Sequence, residues 1–158
     1  LPGGVTTRAQ LVQVLYHLAG DPDMTGVTTP FTDLTSDWYQ AAVAWAYETG
    51  VVDGTSPTTF SPSRPVTREQ AAVLLMRYAA RLPGFAGSDA PADLSAFADG
   101  GSVSGWARAG MSDAVALGLF GGTQDTGGRV WLRPGESATR AEIAAVLARF
   151  GRNVAHLL

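Results

Sequence analysis

Cysteine and lysine are both absent from the 158 residues, and histidine occurs only twice. Without cysteine the chain has no disulfide, no thiol nucleophile and no cysteine-ligated metal site. Charged residues make up 16% of the sequence, against about 25% in an average domain. The net charge of −3 argues against a nucleic-acid partner, because nucleic-acid-binding domains usually carry a basic face. No apolar run approaches the ~18 residues of a membrane span, so membrane insertion is not expected.

A segment that begins with proline and passes through a Thr-Arg pair into an apolar helical pattern occurs three times. The three copies align without a gap, and each places proline five residues before the threonine. Repeats of this kind have to be identified before single elements, because they change the expected fold. The aligned segments are residues 2–10, 62–70 and 134–142, and the helices they introduce are predicted at 11–19, 71–80 and 143–150.

A second repeated block, Phe-x-Asp followed by tryptophan, occurs twice, at 31–33 with Trp38 and at 97–99 with Trp106. From Trp38 to Gly54 the two copies match without a gap at an offset of 68 residues, whereas the Thr-Arg pairs that follow are 72 residues apart. Four residues are therefore inserted in the last copy, within 123–131. The first copy has no such upstream half in this sequence, so the first repeat is expected to be incomplete.

Each complete copy is predicted to form a loop, a short helix, a glycine-rich turn and a longer helix. Trp38, Ala42, Trp45 and Ala46 are spaced as one apolar helical stripe, with Trp45 expected to pack in its own copy only. Because no segment alternates with period two for long, the predicted fold class is all-α. The predicted organisation is a single domain, 1–158, with a partial repeat 1 (1–19), repeat 2 (31–80), repeat 3 (97–150), linkers 20–30 and 81–96, and a tail 151–158.

The threonine of each Thr-Arg pair fits a helix-capping role. A capping box needs Ser or Thr at the N-cap and Glu or Gln three residues later, each side chain bonding the other residue's amide. The predicted boxes are Thr7 with Gln10, Thr67 with Gln70, and Thr139 with Glu142.

Capping does not explain the arginine. Arg8, Arg68 and Arg140 would stand at the first helical position, where the helix dipole disfavours a cation by about 0.3–1 kcal/mol. Free helix amides, the dipole and a guanidinium would together bind an anion. The alternative is that each arginine pairs with an internal carboxylate, Asp33 or Asp99, and both interpretations can hold together.

Catalysis is not indicated. His17 aligns with Arg77 and Arg149 on the repeated helices, which favours a surface or packing role, and His156 lies in the tail. No Ser-His-Asp order, phosphate loop or metal-ligand cluster is present, so no catalytic residue, metal or cofactor is predicted. For Trp38 and Trp106, two interpretations stay open: the wall of a sugar-binding groove, or core packing.

The ordered set Phe-x-Asp, Trp, Gly, Gly, Phe/Leu-x-Pro and Thr-Arg-Ala-Glu closely resembles the S-layer-homology repeat. The resemblance covers residues 2–19, 31–80 and 97–150. It implies three tandem repeats folded into one pseudo-threefold domain around a central bundle of the three longer helices. The loop and short helix of each repeat would project as a prong.

The resemblance also implies a function on the outer surface of a bacterium. Such domains anchor surface proteins non-covalently to a secondary cell-wall polysaccharide, often one bearing pyruvylated sugars, in grooves between neighbouring prongs. Other surface-layer proteins are further expected partners. The carboxylate of a pyruvyl group is the kind of anion that the helix starts were predicted to bind. The ligand-binding residues carried over from the family are Arg8, Arg68, Arg140, Trp38, Trp106, Asp33, Asp99, Gly54 and Gly122.

The sequence departs from the family pattern at two helix starts. Only 139–142 reads Thr-Arg-Ala-Glu; Gln10 and Gln70 end the other two, without a charge. Arg68 and Arg140 are expected to act in complete repeats, whereas Arg8 would depend on the truncated one. Two other functions stay open: a helical-repeat module for protein–protein or S-layer assembly without glycan binding, and an enzyme that cleaves wall glycan with paired carboxylates.

Overall fold

The computed structural model describes residues 3–156, and most of their regular structure is in five α-helices. The described chain divides into two compact units. The N-terminal unit comprises Val5–Val66, and the C-terminal unit comprises residues 67–156 together with Gly3 and Gly4. The predicted helical character is confirmed.

Two α-helices packed on each other form the N-terminal unit. Helix α1 spans Arg8–Leu18, and α2 spans Gln40–Glu48 after a 3₁₀ turn at Asp37–Tyr39. Trp45 is buried, with its ring 6.0 Å from that of Tyr16, which confirms the packing role expected for it. Side chains from both helices and from the following loop make up the core: Leu11, Leu15, Val43, Val51 and Phe60.

The C-terminal unit contains the other three α-helices. Helix α3 spans Arg68–Ala79, α4 spans Arg108–Ala116, and α5 spans Arg140–Asn153. The rings of Tyr78 and Phe150 lie 5.9 Å apart and join α3 to α5. The core of this unit includes Leu75, Met111, Leu119, Leu132 and Phe150. Short 3₁₀ turns lie at Leu94–Ala96, Gly100–Ser102 and Gly105–Ala107.

The predicted insertion within 123–131 folds as a small β-hairpin, so the all-α prediction is incomplete. Strands β1 (Thr123–Gln124) and β2 (Val130–Trp131) pair antiparallel. Asp125 holds the turn: its carboxylate accepts the Trp131 indole N–H and the Arg129 amide, each at 2.9 Å. These bonds lower the pKa of Asp125. Strands of two residues are too short to produce a period-two pattern, which is why the sequence did not reveal them.

The turns that open α2 and α4 satisfy equivalent serine amides in different ways. In the N-terminal unit, the Ser36 amide donates to the Tyr39 hydroxyl at 3.1 Å. In the C-terminal unit, the Ser104 amide and hydroxyl donate to the Glu69 carboxylate at 2.9 and 2.7 Å. Glu69 is 7% exposed, so this carboxylate belongs to the interior. Neither acceptor is repeated in the other unit. Ala107 stands at the position equivalent to Tyr39, and Ala9 stands at the position equivalent to Glu69.

Candidate functional site

The helix starts confirm the capping prediction at α1 and α3 and correct it at α5. The hydroxyls of Thr7 and Thr67 each accept the backbone amide of the glutamine three residues later, and the side chain of each glutamine accepts the backbone amide of its threonine. At α5, Thr139 accepts the Glu142 amide at 3.1 Å, but the Glu142 carboxylate accepts instead from Arg68. The reciprocal bond predicted there is wrong because a guanidinium competes for the charged carboxylate, whereas the neutral glutamines stay on the backbone.

The free helix amides expected to bind an anion are already occupied at α1 and α3. The second helical amide of each, at Ala9 and Glu69, donates to a proline carbonyl, Pro62 or Pro134, at 3.1 and 3.0 Å. The third donates to the capping threonine. The anion site built on backbone amides is therefore wrong for these two helices. The first helical amide, that of the arginine itself, donates in all three copies to a backbone carbonyl of another copy, four residues before the arginine of that copy. The bonds run from Arg8 to Arg64, from Arg68 to Glu136 and from Arg140 to Gly4, at 2.9, 2.9 and 2.7 Å.

The aspartates of the two Phe-x-Asp blocks bind backbone, which corrects their expected pairing with arginine. The Asp33 carboxylate accepts the Phe60 and Ser61 amides at 2.9 and 2.8 Å. Asp99 accepts the amides at the equivalent positions, Leu132 and Arg133, both at 2.8 Å. Each aspartate therefore fixes one turn of the loop that precedes the next Thr-Arg pair.

The loops fixed in this way receive the arginines of the preceding copy. Arg8 Nε donates to the Phe60 carbonyl at 2.9 Å, and Arg68 Nε donates to the Leu132 carbonyl at 2.7 Å. The partners of Arg8 thus come from a complete repeat, so the expectation that its own truncated repeat would leave it poorly supported is wrong. Arg140, in contrast, has an exposed side chain.

Arg8 is a buried cation. Its side chain lies over the Phe60 ring, with the guanidinium carbon 4.9 Å from the ring centroid, and the residue is 5% exposed. Burial and the nearby Arg64 cation lower the pKa of Arg8, and Asp33 opposes that change. Within residues 3–156, no carboxylate forms an ion pair with it.

Arg68, in contrast, lines an open groove of about 290 Å³ in the C-terminal unit. Its Nη1 donates to Glu142 Oε2 at 2.7 Å, and its guanidinium carbon lies 5.3 Å from the Phe120 centroid. One wall of the groove is the loop from Gly118 to Thr123, and the other is the face of α5 that carries Glu142, Val146 and Arg149. Two cations and one carboxylate leave the groove with a net positive charge, which suits an acidic ligand.

A larger cleft of about 630 Å³ in the N-terminal unit lacks this electrostatic feature. Threonine hydroxyls, Gln40, the Asp23 carboxylate and apolar side chains line it, with no arginine among its described residues. Size alone would favour this cleft. For an anionic ligand the Arg68 groove is the better candidate, because charge complementarity determines which partner a site accepts.

The two glycines carried over from the family are required by the backbone. Gly54 has φ +93° and Gly122 has φ +73°, a region that other residues rarely adopt. A Cβ on Gly54 would lie 2.5 Å from the Phe31 ring, and one on Gly122 would lie 2.7 Å from the Trp131 carbonyl oxygen. Gly122 also lines the Arg68 groove.

The repeated tryptophans are not core residues. Trp38 is 53% exposed and Trp106 is 60% exposed, so the packing interpretation is wrong for both. Neither belongs to the described lining of the Arg68 groove. Each stands in the 3₁₀ turn before a short helix, where its ring is available to an external partner.

Comparison with known proteins gives the family. The sequence profile described as the S-layer homology domain matches residues 30–72 and 96–144, more than half of the chain. The chain belongs to the S-layer homology domain family. The two matched segments contain both Phe-x-Asp blocks and the Thr-Arg starts of α3 and α5.

The relatives of this S-layer homology domain are parts of much larger proteins. It is 37% identical over 125 residues to the surface-layer 125 kDa protein of Lysinibacillus sphaericus, covering 78% of this chain and 10% of that protein. It is 31% identical over 147 residues to an amylopullulanase of Thermoanaerobacterium thermosulfurigenes, covering 92% of this chain and 8% of the enzyme. An exoglucanase of Acetivibrio thermocellus is 28% identical over 147 residues, covering 92% of this chain and 13% of that enzyme. The S-layer homology domain thus spans about a tenth of the curated relatives it matches.

Among the described helices of this domain, none combines the length and apolarity that crossing a bilayer requires. The longest, α5, has 14 residues. Residues 3–156 also contain no group of three or more potential metal-ligating side chains.

Sequence reasoning missed several groove residues, above all Phe120 and Arg149. Position 120 carries valine in the other copy, Val52, so no repeated aromatic marks it. Arg149 aligns with Arg77 and His17, and this recurrence of basic residues was a signal available in the sequence. That Arg149 lines the same groove as Arg68 nonetheless follows only from the tertiary structure.

Proposed function

We propose that this S-layer homology domain anchors a surface protein non-covalently to the bacterial cell wall by binding an anionic secondary cell-wall polysaccharide. The observation that carries the proposal is Arg68, a cation held in an open groove that a second cation also lines. An acidic substituent such as a pyruvyl ketal supplies a carboxylate for the Arg68 guanidinium. The apolar surfaces of Phe120 and Val146 suit the less polar face of a sugar ring.

The network behind Arg68 supports a preorganised site. Asp99 fixes the loop, the Leu132 carbonyl holds Nε, and Glu142 holds Nη1. These bonds use two of the five guanidinium N–H groups, and 11% of the side chain is exposed, so a ligand would meet the part of Arg68 that lines the groove. Because the protein already restricts the side chain, little rotamer entropy is lost when the ligand binds.

The experiment compares native wall polysaccharide with the same polymer stripped of its acidic substituents. The domain is incubated with each polymer and sedimented, and Arg68→Ala is measured beside Arg152→Ala. Arg152 is an exposed arginine of α5 outside the described groove lining, so it controls for net charge. We expect Arg68→Ala and polymer stripping each to weaken binding at least tenfold, because each removes a charge-assisted contact.

Two results would reject parts of this proposal. Equal binding by Arg68→Ala and Arg152→Ala, with the helical circular dichroism unchanged, would remove the groove as the binding site. Release of sugar fragments during incubation with wall glycan would show that the chain is an enzyme rather than a binding module.

We infer one domain of three repeats with pseudo-threefold symmetry around the longer helices α1, α3 and α5. The equivalent amide-to-carbonyl bond at Arg8, Arg68 and Arg140 supports a recurring packing rule. In this arrangement the side chains of Arg8 and Arg68 each bond a loop of the next repeat, and the exposed Arg140 would mark a further groove.

Assembly with other surface-layer proteins is a second candidate function. It is favoured by Trp38 and Trp106, which are more than half exposed and lie outside the described lining of the Arg68 groove. Large exposed aromatics are typical anchors of protein interfaces. If they serve assembly, the variant Trp38→Ala with Trp106→Ala will lose self-association in sedimentation velocity while retaining polysaccharide binding. The opposite pattern would assign both residues to the glycan.

A further inference from the structure

Two cations, Arg68 and Arg149, lie at different points along the wall of the Arg68 groove that α5 forms. Glu142 marks the first place, because its carboxylate is bonded to Arg68. Arg149 marks the second and lines the same groove. Positions 142 and 149 are seven residues apart, almost two helical turns, so both side chains project from one face, with their Cα atoms roughly 10 Å apart along the axis.

Arg149 is positioned and accessible. Its Nη1 donates to the Leu119 carbonyl at 3.3 Å, across the groove in the opposite wall. The side chain is exposed, and this is the one hydrogen bond it makes within residues 3–156. Four of its N–H groups are therefore available to a ligand.

The charges in the groove are not matched internally. Glu142 compensates Arg68, and no carboxylate within the described chain pairs with Arg149. A ligand with one acidic group can satisfy one of the two cations. A ligand with two acidic groups spaced along its chain can satisfy both.

We infer that Arg149 is a second anion contact, and that this groove binds a glycan segment carrying two acidic groups spaced along its chain. This inference rests on the proposed function of the groove and specifies its substrate class.

The experiment uses wall polysaccharide cut into short fragments and fractionated by charge into those with one and those with two acidic substituents. Affinities for both fractions are measured by isothermal titration calorimetry with the unaltered domain, Arg149→Gln, Arg68→Gln and the control Arg152→Gln. The two-acid fragment should bind the unaltered domain about fivefold more tightly than the one-acid fragment, the factor expected for one more partly exposed ion pair.

The variants separate the two contacts. Arg149→Gln should remove the advantage of the two-acid fragment and leave the one-acid affinity within twofold, whereas Arg68→Gln should weaken both fragments. The second contact is refuted if Arg149→Gln keeps the advantage, or if Arg152→Gln abolishes it equally. If neither fragment binds the unaltered domain, the proposed function itself fails, and the second contact fails with it.

Discussion

The buried carboxylate of Glu69 offers the sharpest test of how this domain is held together. It accepts both the amide and the hydroxyl of Ser104, and it is 7% exposed. Glu69→Ala would leave both donors of the half-buried Ser104 without this acceptor. Since the equivalent turn of the N-terminal unit uses Tyr39 for the same purpose, the bond to the serine amide is a requirement of the turn rather than an incidental contact.

The expected loss follows from the two bonds. Hydrogen bonds to a charged group contribute about 1.5–3 kcal/mol each, but burial of the carboxylate opposes part of that gain. We therefore expect Glu69→Ala to lower the free energy of unfolding by about 2–4 kcal/mol. Ser104→Ala removes only the hydroxyl bond and should cost about 1 kcal/mol.

The assay is urea unfolding followed by far-UV circular dichroism, with Glu48→Ala as the control. Glu48 is an exposed glutamate of α2, so its replacement should change stability by less than about 0.5 kcal/mol. A Glu69→Ala midpoint equal to that of Glu48→Ala would refute the reasoning. In a double-mutant cycle, Glu69 and Ser104 should couple by about 1 kcal/mol, and additive effects would show that the two residues do not interact.

Three further predictions concern the loops around the groove. Asp99→Ala should weaken sedimentation with wall polysaccharide about tenfold while the helical circular dichroism is kept, because the carbonyl that holds the groove arginine loses its support; unchanged sedimentation would contradict this. Gly122→Ala should destabilise the fold by about 1–3 kcal/mol in urea, whereas Gly121→Ala, whose Cβ meets nothing within 4 Å, should not; equal midpoints would count against the steric argument. The hydrogen bonds that Asp125 accepts depress its folded-state pKa. The ionised carboxylate should therefore stabilise the hairpin at pH values above the ordinary aspartate pKa of about 3.9, and this stabilisation should be lost as the pH falls through the lower folded-state pKa. The Trp131 indole N–H signal in NMR should report that loss, and the same pH response in Asp125→Asn would refute the assignment.

Local patterns explain which features could be predicted. The Thr-Arg starts, the first helical positions at Arg8 and Arg68, and the capping threonines follow from interactions within a few residues. The hairpin was missed because its strands have two residues each and its turn depends on the side chain of Asp125. Glu142 was assigned to its own helix start because sequence spacing cannot show a competing cation 74 residues away.

By itself, the sequence determined the repeat, its inserted residues, the helical class and the family, because each of these depends on residue order and short-range periodicity. Only the tertiary structure decided the environment of each arginine. Arg68 bonds a carbonyl 64 residues away and a carboxylate 74 residues away, and the same folding buries Arg8 and leaves Arg140 exposed. Three Thr-Arg pairs at equivalent helix starts therefore have three different environments, since burial and charge pairing are set by what the rest of the chain packs around each guanidinium.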